Sequence, residues 1–325
     1  MKTKKPDIFL GITMCLLVLA AVLCIVILFV QKNAKEPKTP VNTDTVQTSD
    51  INQTGSPSGD TQETGNTVET NNPVTPSAEL EAIDEEGLKA ALDGKIKSLT
   101  SEWQVMVIDP ALGTRVSSCV NCKDDDWMTA NRMTQVFIMA TVFQQAKDGT
   151  LVLEDHLEDI KAMMNANDTY AADRLTELVG GGDAAAGRDA VKAFAVENGV
   201  QLGFNRPLTG TASKKNYVKA QETAALLELL CQGKLVSEAS SRQMLDILLT
   251  PVENPEIDPG LTGDGIRYGF VNDVEDGTCV CSMGVVQLQN RSFVISVVSN
   301  KPVTTNGAKA KVTELIALTQ TFFEE

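Results

Sequence analysis

Few side chains in this 325-residue chain are of a type and spacing that do chemistry. There is one histidine, His156, in the run Glu154-Asp155-His156-Leu157-Glu158. Any Ser-His-Asp relay would have to use it, and a histidine-rich metal site is excluded. Its place among acids at a helix start reads as a solvated side chain. Thiols are the second candidate. Cys119-Val120-Asn121-Cys122 spaces two sulfurs for a small disulfide in an oxidising compartment, while Cys279 and Cys281 sit two apart on a strand and Cys231 stands alone. A redox role is disfavoured because the Cys-x-x-Cys follows a strand and opens no helix. Four thiolates can hold zinc, but a local disulfide or buried thiols is the preferred reading. Asp124-Asp125-Asp126 lacks the alternating ligand spacing of a calcium loop and reads as a solvated turn before Trp127. No cofactor and no metal is expected.

Composition narrows the partners. Asp and Glu number 43 against 28 Lys and Arg, a net charge of -15. Nucleic acid and anionic headgroups would be repelled. Ile8 to Val30 is an apolar run without charge. As a helix it is about 34 Å long, enough to cross a hydrocarbon core. It is long for a cleaved signal, and no small-residue cleavage site follows cleanly. The chain therefore divides into a cytoplasmic tail (1–7), a transmembrane signal anchor (8–30), a disordered linker (31–78) and a folded domain (79–325). The linker is Thr, Asn, Ser, Pro, Gly and acids, too poor in apolar residues to offset its ordering entropy. Lysines flank the span on both sides almost evenly. By analogy with such stalks, the folded domain is placed outside, on a single-pass protein of the cell membrane.

The elements that must position any site follow from periodicity. A helix is predicted over Ile83–Leu99, strands over Trp103–Ile108 and Thr114–Val120, and a buried central helix over Val136–Gln145, which is apolar nearly all round. Helices follow at Leu157–Met164, Ala171–Val179, Ala190–Asn198, Ala220–Cys231 and Ser237–Leu249. Strands return at Ile266–Val271, Thr278–Leu288 and Ser292–Ser299, and a helix over Ala308–Phe323 closes the chain. The order predicts an α+β fold: a mostly antiparallel five-stranded sheet built from both ends, terminal helices on one face, and an inserted helical subdomain. The boundary between sheet and helices is a natural cleft.

Four stretches in this order carry a resemblance: Asn131–Leu151, Asn167–Gly182, Asn216–Leu249 and Ser282–Ser299. Together they are similar to the serine β-lactamase and penicillin-binding protein superfamily, closest to class A β-lactamases, over about Glu79–Phe323. The resemblance implies three catalytic motifs, and each departs here. The first is Ser-x-x-Lys at the start of the central helix, where nearly one turn puts nucleophile and base on one face. Arg132-Met133-Thr134-Gln135 stands at that place, and no Ser-x-x-Lys occurs anywhere in the chain. Arginine stays protonated, and glutamine exchanges no proton near neutral pH. Asn131 is expected to cap this helix. The second motif, Ser-Asp-Asn, is matched by Asn167-Asp168-Thr169, without the relay serine. The third, Lys-Thr-Gly, is absent; the matching strand gives Val271-Asn272-Asp273, whose aspartate would repel a penicillin-like carboxylate. The deacylating glutamate has no counterpart in Asn205–Lys215. In the resembled fold the two cysteine-bearing strands are not neighbours, which argues against zinc.

The expectation is therefore a pseudoenzyme with no catalytic residue. Its cleft would be formed by Arg132, Gln135, Asn167, Thr169, Val271, Asn272 and Asp273. A peptidoglycan fragment or an envelope protein would bind there without acylation. The alternative is an active serine hydrolase of the same class, with a nucleophile outside these motifs.

Overall fold

The computed structural model describes residues 80–210, 214–252 and 255–324. The transmembrane anchor over 8–30 and the linker over 31–78 lie outside them. Among the described residues no helix is long and apolar enough to cross a membrane.

Five strands make one antiparallel sheet: β1 (Glu102–Ile108), β2 (Arg115–Val120), β5 (Arg267–Glu275), β6 (Cys279–Gln287) and β7 (Ser292–Asn300), in the order β2-β1-β7-β6-β5. Two-residue strands β3 (Met128–Thr129) and β4 (Tyr217–Val218) pair beside it. The N-terminal hairpin joins the C-terminal meander through β1 and β7, where Val105 faces Val297 and Val107 faces Ile295. Successive side chains on β1 point to opposite faces. Trp103, Val105 and Val107 thus enter one core with Leu88, Leu92, Ile295, Val312 and Leu315. Met106 and Ile108 enter the other, with Phe137, Ile138, Phe143 and Leu227. Helices on both faces explain why β1, β6 and β7 read as nearly continuous apolar runs.

The first core is closed by the terminal helices α1 (Glu85–Ile96) and α8 (Thr305–Glu324). The second is the helical layer: α2 (Gln135–Lys147), α3 (Leu157–Asn165), α4 (Thr169–Val179), α5 (Ala184–Glu197), α6 (Ala220–Cys231) and α7 (Glu238–Leu248). Every residue of α2 from Gln135 to Phe143 is buried, as its all-round apolarity predicts. Helix starts obey side-chain capping: Asp84, Asp168, Asp183 and Ser237 each accept backbone N–H groups of the first turn. Gly187 lets α5 lie on α4, since a Cβ there would fall 1.7 Å from the Thr176 carbonyl oxygen.

The elements depart from expectation in three places. Helix α5 starts at Ala184, ahead of the predicted Ala190, because three alanines and an Asp183 cap extend it without apolar periodicity. Strand β5 continues to Glu275, where the pattern predicts an end at Val271; Asn272 and Asp273 are polar yet pair with Ser282 and Cys281. Asn131 makes no capping bond. Its side-chain Nδ2 donates to Glu275 Oε2 at 2.8 Å and its backbone N–H to Asp273 Oδ2, so tertiary partners displace the local cap. A 3-10 turn, Arg132–Thr134, leads into α2 instead.

Candidate ligand-binding cleft

Helix α2 starts beneath the edge of the sheet because the preceding turn is tied to β5. The Asn131 N–H reaches Asp273. Arg132 then projects two ways: its Nε lies 3.7 Å from Asp273 Oδ1 and its Nη1 2.6 Å from Glu256 Oε2. Glu256 belongs to the segment that leads from α7 to β5. One turn on, Gln135 Nε2 donates to Asn167 Oδ1 at 3.2 Å, and Asn167 Nδ2 donates to Glu256 Oε2 at 3.4 Å. Asn167 sits at φ 56°, a left-handed conformation that asparagine tolerates, between α3 and α4. Arg132, Glu256, Asn167 and Gln135 thus form one connected polar chain beside a cavity.

The cavity holds about 250 Å³. Its walls are the turn Asn165–Asn167, Gln135, the segment around Pro255–Ile257, and five consecutive residues of the edge strand, Tyr268 to Asn272. Gly269 is needed there: a Cβ would fall 1.8 Å from the Leu248 carbonyl oxygen at the end of α7. The Tyr268 and Phe270 rings stand 6.1 Å apart. Asn272 is 8% exposed, and its Oδ1 is buried without a hydrogen-bond partner.

Gln135, Asn167, Val271 and Asn272 therefore line one cavity, while Arg132 and Asp273 lie behind it as an ion pair. Thr169 is not among the lining residues. It is the first residue of α4, and Asp168 beside it spends its carboxylate on the N–H groups of Tyr170 and Ala171. Glu256, Tyr268 and Phe270 are lining residues that periodicity does not single out. The clue to Glu256 is weak: an apolar Ile257 between one Pro-Glu and one Asp-Pro pair, which buries while Glu256 and Asp258 stay at the surface. The Asp273 carboxyl is raised above the usual range because burial outweighs the attraction of Arg132 and the N–H of Asn131. Arg132 is partly desolvated, yet Glu256 and Asp273 hold its pKa above the ordinary value.

All five described cysteines are free thiols. Cys119 and Cys122 lie at the end of β2, separated by β1 and β7 from Cys279 and Cys281 on β6. Among the described residues no group of His, Cys, Asp and Glu is arranged to hold a metal ion.

A cleft between an edge strand and the start of a buried helix, roofed by a helical layer, defines the class of β-lactamase-like α+β proteins. Residues 157–320 match the model of the beta-lactamase enzyme family, half of the chain, and the chain belongs to that family. Its fold is similar to the β-lactamase of Sphaerobacter thermophilus, 18% identical over 74% of this chain and 98% of that one, with a TM-score of 0.62. The TLA-3 extended-spectrum β-lactamase gives 16% identity over 74% and 100%, with a TM-score of 0.64. A mutant of the class A β-lactamase of the last common ancestor of Gram-negative bacteria gives 20% over 73% and 99%, with a TM-score of 0.61. At these identities the likeness is one of fold. No curated protein sequence matches the chain.

Proposed function

We propose that this chain is a membrane-anchored, extracytoplasmic member of the family that binds a cell-envelope ligand, such as a peptidoglycan fragment, without acylating it. The observation that carries the reading is the state of Arg132 and Gln135. At the turn that the resemblance sets against the family's serine and lysine, a guanidinium is committed to Glu256 and an amide to Asn167. Neither can attack a carbonyl or take a proton at neutral pH. The hydroxyl of Thr250, on the cavity wall, donates to the Asp246 carbonyl within its own helix end. Loss of one member of a catalytic unit costs roughly ten-thousandfold to a millionfold in rate, so loss of both leaves binding as the function to expect. The apolar run 8–30 supplies the anchor and 31–78 the spacer.

The test joins two measurements on the purified chain. Fluorescent penicillin should leave no covalent label, and intact mass should not rise. Soluble cell-wall digest should bind saturably by calorimetry. A penicilloyl adduct on any side chain would overturn the reading. Membership of an enzyme family favours a second reading, an active serine hydrolase with a nucleophile outside the family's usual motifs; turnover of a chromogenic cephalosporin, abolished by a serine-directed inhibitor, would establish it.

A further inference from the structure

We infer that the cleft selects its ligand through a protonated amine, not through a carboxylate; this rests on the reading of the cleft as a ligand site. Three features set the sign. The first is charge. Among the described residues Glu256 is the only charged side chain on the cavity wall. The adjacent cations are committed: Arg132 to Glu256 and Asp273, and Arg267 to Asp246 at 3.4 Å. An arriving carboxylate would meet Glu256 with no unpaired cation to offset it.

The second feature is an open acceptor on that charge. Arg132 and Asn167 both reach Oε2 of Glu256, which leaves Oε1 without a partner among the described residues. An ammonium brings three donors where a carboxylate brings none. The side chain of Asn272 and the backbone edge of β5 offer both kinds of group and do not set the sign. The third feature is aromatic: Tyr268, 39% exposed, and Phe270 form a wall on which a cation is favoured over an anion.

The experiment uses three probes with one backbone: alanyl-alanine amide (a cation), N-acetyl-alanyl-alanine (an anion) and N-acetyl-alanyl-alanine amide (neutral). Each is titrated into the full chain by calorimetry. The cation should bind at least about tenfold more tightly than the anion, the scale of one charge-assisted hydrogen bond. Glu256→Gln should erase that preference and, by releasing Arg132, strengthen the anion. Tyr268→Leu should weaken the cation several-fold with the anion unchanged, which keeps the inference testable if the first variant is unstable. Equal binding of all three, or preference for the anion, overturns it. Binding of cell-wall digest with none of the three bound overturns the amine inference alone. Absence of both overturns the inference and the ligand-site reading together.

Discussion

Arg132 Nη1 lies 2.6 Å from Glu256 Oε2 while its Nε lies 3.7 Å from Asp273 Oδ1, so one guanidinium joins an exposed carboxylate to a buried one. The two partners should respond differently to loss of the other. Arg132→Ala leaves Asp273, almost wholly buried, without its cation; the carboxyl, already raised by burial, takes up a proton, and the fold should lose about 1–3 kcal/mol, the cost of a buried polar group left short of a partner. Glu256→Gln removes the partly exposed arm and should cost less than about 1 kcal/mol. Urea unfolding of both variants decides it; equal losses would mean that Asp273 does not depend on Arg132.

Gly269 lies where β5 passes against the end of α7. A methyl group there meets backbone, the Leu248 carbonyl oxygen at 1.8 Å, so either α7 or β5 has to shift. Gly269→Ala should cost about 1–3 kcal/mol, as overpacking does, and lower Tm by about 2–4 °C per kcal/mol for a domain of this size. Because Tyr268 and Phe270 flank it, ligand affinity should fall as well. An unchanged Tm would show that the edge strand relaxes freely.

Much of this arrangement is legible without coordinates, for reasons that differ by element. Val136–Gln145 is apolar nearly all round, as suits a buried central helix, and α2 occupies it. Gln135 bonds Asn167, whereas Arg132, in the 3-10 turn before it, goes to Glu256 and Asp273. Glu256 is invisible to the same logic. It lies in a segment without period, and its partner is 124 residues away in the chain. Asn131 illustrates the opposite error. Its type favours a local cap, but Glu275 and Asp273 offer its side chain and backbone better partners from β5. The same pairings explain why β5 runs on through Asn272 and Asp273, where polarity predicts an end.

The thiols should be slow nucleophiles. Burial pushes Cys122 up to about 11 and Cys231 up to about 12, and burial likewise raises Cys119. At pH 7.5 the Cys122 thiolate is then roughly one part in a few thousand. Alkylation of the native chain by iodoacetamide should be slow and should rise about tenfold per pH unit through pH 9, while urea-unfolded chain reacts fast and levels off near the ordinary thiol pKa. Mass-resolved rates for Cys122 in the native chain that level off near pH 8.5 would sink the argument.

The buried Asp273 should give the pH dependence of stability a component opposite to that of the surface carboxylates. Asp159 is held low by its hydrogen bond from Arg174, and Glu314 by those from Lys311 and Lys95. Such groups stabilise the fold above their unfolded pKa, and that contribution is lost as pH falls through the folded one. Asp273 is raised by burial, so the folded state binds its proton more tightly than the unfolded chain does. Its contribution is complete below the ordinary carboxylate pKa of about 3.9 and is lost as pH rises through the folded value. Asp273→Asn keeps an acceptor for the Asn131 N–H but cannot ionise. Its stability relative to the parent should therefore be flat in acid and increase as pH rises from about 4. Urea unfolding of both proteins across pH 4 to 9 reads this difference directly, with the surface groups cancelling. A difference that decreases with pH would mean that Arg132 outweighs burial and that Asp273 is ionised throughout.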